Sequence, residues 1–246
     1  MTRVENYDAL FSGIIGQDYD LLKQICPLAA EMSRLVGVRV AEYCQQTGQT
    51  HPQIFELGGG TGITTLALLS AVENLDILSV DKEETMQKQA RQSLKAWQQQ
   101  GRLDFLLEDA LSALKSQPDN NFDIVASAYT LHNFEHSYRR EVIAEIYRVL
   151  KPGGLFINGD RYALDDINLH TRLTQQEVHG YFEVLSRLER LDILEHWIIH
   201  LFSDESENHV MRETPALKQL AEHGFQEISL THRQQVNALV SALKPL

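Results

Sequence analysis

Residues 52–69, PQIFELGGGTGITTLALL, constrain the fold more than any other part of the chain. Four glycines, Gly58, Gly59, Gly60 and Gly62, fall within five positions, between a short apolar run and a longer apolar run of helical character. Glycine loses more backbone entropy on folding than any other residue, so a cluster like this meets a geometric need. A buried strand, a glycine loop and a helix, in that order, present free backbone N–H groups beside whatever lies against the loop.

The flanking segments set the loop in a repeating pattern. QIFEL, LDILSVD, LDFLLED, NFDIVASAYTLHN and LFINGD read as five strands. Helical stretches separate them: TTLALLSAVE, then KEETMQKQARQSLKAWQQQ stopped by Gly101, then SYRREVIAEIYRVL with a Pro-Gly-Gly stop. The stretch between strands three and four reads as a loop. Such alternation indicates an α/β fold with a largely parallel sheet. In these sheets ligands bind beyond the carboxyl ends of the strands, near the point where strand order reverses. Glu56, Asp81, Asp109 and residues 127–133 all fall at or just past strand ends.

On either side the pattern changes. Residues 5–48 space Leu21, Leu22, Ile25, Leu28, Leu35, Val36 and Val40 at helical intervals, with Pro27 starting or interrupting a helix. Residues 162–211 read as helical, and the alternation then resumes with the helix TPALKQLAEHGF and two strand candidates, QEISLTHR and QVNALVSALK. The expected organisation is one domain over residues 1–246. It comprises a helical cap (1–50), a core (52–160), a helical insertion after strand five acting as a substrate lid (162–211), and a last helix with two strands (212–246).

Composition excludes several classes. A formal net charge of −12 and no Lys/Arg run longer than the pair Arg139 and Arg140 do not suit direct binding of nucleic acid. No apolar run reaches membrane-spanning length; LDILEHWIIHLF is broken by Asp192, Glu195, His196 and His200. The N-terminus lacks a basic region followed by an apolar one, and Cys26 and Cys44 form no metal or redox motif, so a reduced, cytoplasmic setting is expected. His196 and His200 share a helix face, but HWIIH lacks the glutamate of HExxH, and Trp197, Ile198 and Ile199 read as a packing surface. No metal is expected.

Two phosphate-binding readings of the loop fail. A dinucleotide fingerprint accepts Gly58 and Gly60 but meets Ile63 at its third glycine, and a P-loop needs a Lys that is not there. ELGGGTG instead resembles the first motif of class I S-adenosylmethionine-dependent methyltransferases. Asp81 at the end of strand two, EDA (residues 108–110) after strand three, NFDIVASAYTLHN and LKPGGLFI are similar to that family's later motifs, in order, over residues 52–160. The resemblance implies a Rossmann-like, mostly parallel seven-stranded sheet and S-adenosyl-L-methionine as cofactor. It implies that Gly58 and Gly60 let the backbone pass close to the amino-acid tail and ribose, and that Glu56 supports the loop and the ammonium end. Asp81, with Lys82 beside it, serves the ribose hydroxyls; Asp109 and the Ala110 amide serve adenine; Ser127 lies near the ammonium and sulfonium.

Methyl transfer needs a proton acceptor only when the methyl acceptor must lose a proton. His132 and Tyr129, just past strand four, are the catalytic candidates, with Asn133 as an orienting group. Arg161, Tyr162, His170, Arg172, His179 and Tyr181 of the insertion, and Tyr7 and Tyr19, are further pocket candidates. The expected partner is a small-molecule acceptor, with the insertion as a candidate homodimer face. GQDYDLLKQICPLAAEM and ENHVMRETPALKQLAEHGF also loosely resemble the carboxy-S-adenosylmethionine synthase branch, which makes a carboxylated cofactor for tRNA modification. That reaction would need an arginine such as Arg212 or Arg187, and that branch differs from this chain at GGGTG. A third reading is a non-catalytic module that keeps the fold.

Overall fold

The computed structural model describes residues 22–246, so Tyr7, Tyr19 and the rest of residues 1–21 of the expected N-terminal cap lie outside the described residues. In chain order the elements are α1 (Pro27–Thr47), β1 (Gln53–Leu57), α2 (Ile63–Ala71), β2 (Asp76–Asp81), α3 (Glu84–Ser93), α4 (Lys95–Gln99) and β3 (Leu103–Leu107). Then come α5 (Ala110–Lys115), β4 (Phe122–Ala128), a 3-10 turn (Leu131–Asn133), α6 (His136–Val149) and β5 (Leu150–Arg161). The chain ends with α7 (Ile167–Arg187), α8 (Leu191–Asp204), α9 (Glu213–Glu222), β6 (Gln226–Gln234) and β7 (Asn237–Leu243).

The seven strands form one sheet in the order β3-β2-β1-β4-β5-β7-β6. All neighbours are parallel except β7, which runs antiparallel to both β5 and β6. Strand order reverses between β1 and β4, where Leu57 lies opposite Ser127. Every residue of β4 is buried, as a central strand covered on both faces requires. One face packs Met32, Val36, Val40, Leu66 and Leu68 of α1 and α2 against Ile54, Ile124 and Ile157. The other packs Val142, Ile146 and Leu220 of α6 and α9 against Phe55, Val125 and Phe156. Pro27 occupies the first turn of α1, where its missing N–H is not needed.

Three local features depart from the sequence expectations. The loop expected between β3 and β4 contains α5, a helix short enough to leave little periodic signal but capped by the Asp109 side chain on the Ser112 N–H. The helix expected over 82–100 divides at Leu94, whose fully buried side chain sits between α3 and α4. The Pro-Gly-Gly stop after α6 lies inside β5, at a bulge: β4 pairs Phe122 with Leu150 and then Ile124 with Leu155.

The insertion forms the antiparallel pair α7 and α8, joined through Tyr181, Leu185, Leu194 and Leu201, with Trp197 against Tyr181 at 5.3 Å between ring centroids. Trp197 and Ile198 thus pack as expected, whereas Ile199 turns outward at 62% exposure. No described helix is long and apolar enough to cross a membrane.

Candidate active site at the carboxyl ends of the central strands

The glycine loop is held from below by β2. The N–H groups of Gly58 and Gly59 donate to Val80 O at 2.8 and 3.1 Å, and Gly60 N–H donates to Asp81 Oδ2 at 2.7 Å. Gly58 has φ +67°, and a Cβ there would lie 1.9 Å from Thr130 Oγ1. Gly60 has φ +51°, yet a Cβ there would meet nothing within 4 Å. One glycine is demanded by packing against β4's exit, and the other borders open space where a ligand can approach the backbone.

Glu56 sits beneath this loop with no solvent exposure. Its Oε2 accepts from Thr65 Oγ1 at 2.7 Å, while Oε1 has no partner. Burial pushes its carboxyl up to about 7, against the lowering effect of the neighbouring Ser79 and Thr65 hydroxyls. The folded-state value therefore lies above the unfolded one, so ionised Glu56 costs stability; the cost starts near pH 4.5, grows up to about pH 7 and is constant above. Glu56→Gln is expected to be stabilised over wild type at pH 8 by at most roughly 3 kcal/mol, and by much less at pH 5. Urea unfolding at the two pH values checks this, and an equal effect at both would contradict it.

Asp81 and Asp109 stand at neighbouring strand ends. Asp81 Oδ1 accepts the Glu83 N–H at 2.8 Å, so each oxygen holds one backbone donor and keeps lone pairs to spare. Asp109 Oδ1 accepts the Ser112 N–H at 3.1 Å and the Tyr138 hydroxyl at 2.8 Å. Hydrogen bonds from Ser112, then Tyr138, hold this carboxyl down at about 2 against the opposing effect of burial. Ala110 opens α5, where backbone N–H groups lack intrahelical partners. Lys82 is exposed beside Asp81. Ser127 is fully buried with an unpartnered Oγ.

Past β4 the chain turns sharply, with Tyr129 at φ +49°. The 3-10 turn then carries His132, whose Nδ1 lies 2.5 Å from Asp160 Oδ1 at the end of β5. Asp160 is wholly buried. It also accepts the N–H groups of Leu131 (3.0 Å) and Arg161 (2.8 Å) and Asn158 Nδ2 (3.2 Å). Burial works to raise its carboxyl, but the adjacent His132 and these donors win and hold it below the usual carboxylate range. Arg139, buried in α6, clamps the turn by donating to the carbonyls of Leu131, His132, Phe134 and His209. A carboxylate at Nδ1 leaves Nε2 facing away from it. That atom lies 3.6 Å from Asp204 Oδ2 of α8, at a small hollow lined also by Arg161, His170, Glu205 and Met211.

Tyr129 neighbours His132, with ring centroids 6.0 Å apart, but its hydroxyl donates to Asn237 Oδ1. Burial raises its phenol well above the usual value, which suits a wall rather than a base. Asn133 is exposed and donates to Tyr129 O. Arg161 is buried between Glu177 and Glu205, and His170 meets Glu205 at 2.6 Å. Tyr162 and Tyr181 are buried, while Arg172 and His179 face outward. Sequence reasoning missed Asp160, Asp204 and the convergence of α8 on His132. Asp160 carried a usable signal, the same strand-end position that singled out Asp81. Asp204 carried none, since only tertiary packing of α8 brings it in.

Comparison with known proteins agrees with the fold. Residues 54–154 match the family model of a methyltransferase domain. The carboxy-S-adenosyl-L-methionine synthase of Shewanella amazonensis is 25% identical over 185 residues, covering 72% of each chain. The demethylmenaquinone methyltransferase of Leptospira interrogans is 36% identical over 110 residues, and the match spans 45% of this chain and under half, 43%, of that enzyme. An O-methyltransferase family protein from Burkholderia thailandensis has the same fold (TM-score 0.62, 17% identity) over 99% of this chain and 60% of its own. So does a methyltransferase structure from Methanococcus maripaludis (TM-score 0.59, 18% identity), over 94% and 93%.

Fold and strand-end motifs together define an α/β methyltransferase domain. Residues 54–154 thus match a methyltransferase domain, and the chain is similar to class I S-adenosylmethionine-dependent methyltransferases, whose cosubstrate is S-adenosyl-L-methionine. The residues present suit that molecule. Asp81 offers a carboxylate for a diol, Gly60 borders open space, and Glu56 Oε1 and Ser127 Oγ are buried polar atoms lacking a partner.

Proposed function

We propose that this protein transfers a methyl group from S-adenosyl-L-methionine to a small-molecule acceptor. The observation that carries this reading is the Asp160–His132 pair, which turns Nε2 toward a small hollow at the exit of β4, two residues from the Thr130 that packs on Gly58. Bound S-adenosyl-L-methionine supplies a methyl group on a positively charged sulfur, activated for in-line displacement. The chain supplies alignment. Asp81 accepts from the ribose hydroxyls with Lys82 at their edge, Asp109 and the Ala110 N–H take the adenine, and Gly58, Gly60, Glu56 and Ser127 receive the amino-acid end. His132 takes the proton that the acceptor's oxygen or nitrogen loses as its new bond to carbon forms. Asp160 holds the imidazole in place and stabilises its protonated form. Tyr129 walls the site.

A second reading, synthesis of the carboxylated cofactor, is favoured by the 25% identity to the Shewanella enzyme. The arginines weigh against it. Arg212 donates to Leu164 O, Arg187 is exposed, and Arg161 is committed to two glutamates. Incubation with S-adenosylmethionine carrying a trideuterated methyl group, against panels of phenols, amines and carboxylic acids, separates the two by mass spectrometry. The methyltransferase reading predicts a labelled panel member and an equimolar yield of S-adenosylhomocysteine. No labelled product, with a carboxylated cofactor appearing once prephenate is added, would overturn it.

A further inference from the structure

We propose that His132, His200 and Asp204 form a binding site for one divalent transition-metal ion of the zinc class. The donor atoms, two imidazole nitrogens and a carboxylate oxygen, all lie within 4.8 Å of one another. Asp204 Oδ2 is 3.6 Å from His132 Nε2 and 3.7 Å from His200 Nε2. Donors placed tetrahedrally about 2.0–2.1 Å from a zinc ion are separated by roughly 3.4 Å, close to both carboxylate–imidazole separations, and the two imidazole nitrogens already lie within 4.8 Å of each other. Neither observed distance is a hydrogen bond. A buried carboxylate, 6% exposed, therefore stands between two imidazoles without a shared proton to account for it.

The surroundings are those of a ligand set. His200 and Asp204 are four residues apart on α8 and share one of its faces, while His132 comes from the turn after β4. Asp160 on His132 Nδ1 is the outer-shell carboxylate that orients a metal-binding histidine and makes its other nitrogen a better donor. His196 stacks on His200, with centroids 6.4 Å apart and planes 4° from parallel, which steadies the more exposed ring. Three protein ligands of this kind leave a coordination position open. His132 and Asp204 both line the small hollow beside them.

The site stands on its own geometry, and only its use in catalysis rests on the methyltransferase reading. With the ion in place, the lone pair of His132 is a ligand and cannot take the acceptor's proton, so metal binding and the base role of His132 are alternatives at this site.

The test uses tag-free, chelator-stripped full-length protein, titrated calorimetrically with Zn²⁺ and followed by visible absorption with Co²⁺. S-adenosylhomocysteine is titrated in parallel. The expected result is one equivalent of Zn²⁺, an intense Co²⁺ band, and at least a tenfold affinity loss in each of His132→Ala, His200→Ala and Asp204→Asn. Asp160→Asn should weaken binding by about 10–100-fold. Circular dichroism verifies that each variant is folded, and the exposed position of His200 makes its variant the safest. Zinc affinity unaffected by His132→Ala and Asp204→Asn but lost in His196→Ala would mean only a surface histidine pair, and would overturn the site. So would no binding at all, leaving His132 as a base if S-adenosylhomocysteine still binds. Zinc binding without S-adenosylhomocysteine binding would uphold the site and remove the methyltransferase reading.

Discussion

Asp160→Asn is expected to lose about 3 kcal/mol or more of stability and to lower kcat by about 10³-fold. Four donors converge on this one carboxylate: His132 Nδ1, the N–H groups of Leu131 and Arg161, and Asn158 Nδ2. An asparagine of the same shape accepts on one side only, and its NH₂ faces donors on the other. Each buried donor left without a partner costs about 1–3 kcal/mol. In a chain of this length the loss corresponds to a melting temperature lower by roughly 10 °C. The kinetic effect is separable from the structural one. If Asp160 acts by positioning His132, kcat collapses at temperatures far below the melting transition, while affinity for S-adenosylhomocysteine changes little. A variant with lowered melting temperature but near-wild-type kcat at 15 °C would reduce Asp160 to a structural role. Differential scanning calorimetry and single-turnover assays together decide this.

Asp81→Ala is the complementary case, an expected loss of cofactor affinity with little loss of stability. Asp81 is only partly buried, and its folding role is confined to the Gly60 and Glu83 N–H groups. Its expected contact with two ribose hydroxyls is charge-assisted on both bonds, which is worth roughly 1.5–3 kcal/mol per bond. Allowing for water that replaces part of this, S-adenosylhomocysteine should bind about 30–100-fold more weakly, measured by calorimetry. Asp81→Asn, which keeps one acceptor, should fall between. An unchanged affinity in the alanine variant would remove Asp81 from the site.

The central sheet was legible because its signals are local. The QIFEL run, the glycines behind it and the acids at 56, 81 and 109 announce strand, turn and strand end within a few residues each. The terminal pair β6 and β7 was legible as strands, although only the pairing shows that β7 inserts between β5 and β6. Helix α5 escaped because six residues hold less than two helical turns of periodicity. The bulge in β5 escaped because Pro-Gly-Gly is equally a helix stop and a strand irregularity, and only the register with β4 tells them apart. At the site the same division holds. His132 could be singled out from its place after strand four, but its partners come from residue 160 and, through the insertion, from residues 200 and 204. The HWIIH segment illustrates the limit. Read alone it lacks the partner a metal would need, and α8 finds that partner 68 positions earlier in the chain, on a turn that no periodicity links to it.

Titration of S-adenosylhomocysteine and, separately, of NADH into the wild-type protein tests the central claim most directly. The structure predicts saturable, one-to-one binding of S-adenosylhomocysteine and no heat from NADH. Saturable binding of NADH with none of S-adenosylhomocysteine would contradict it, and would return the glycine loop to the dinucleotide reading that Ile63 argues against.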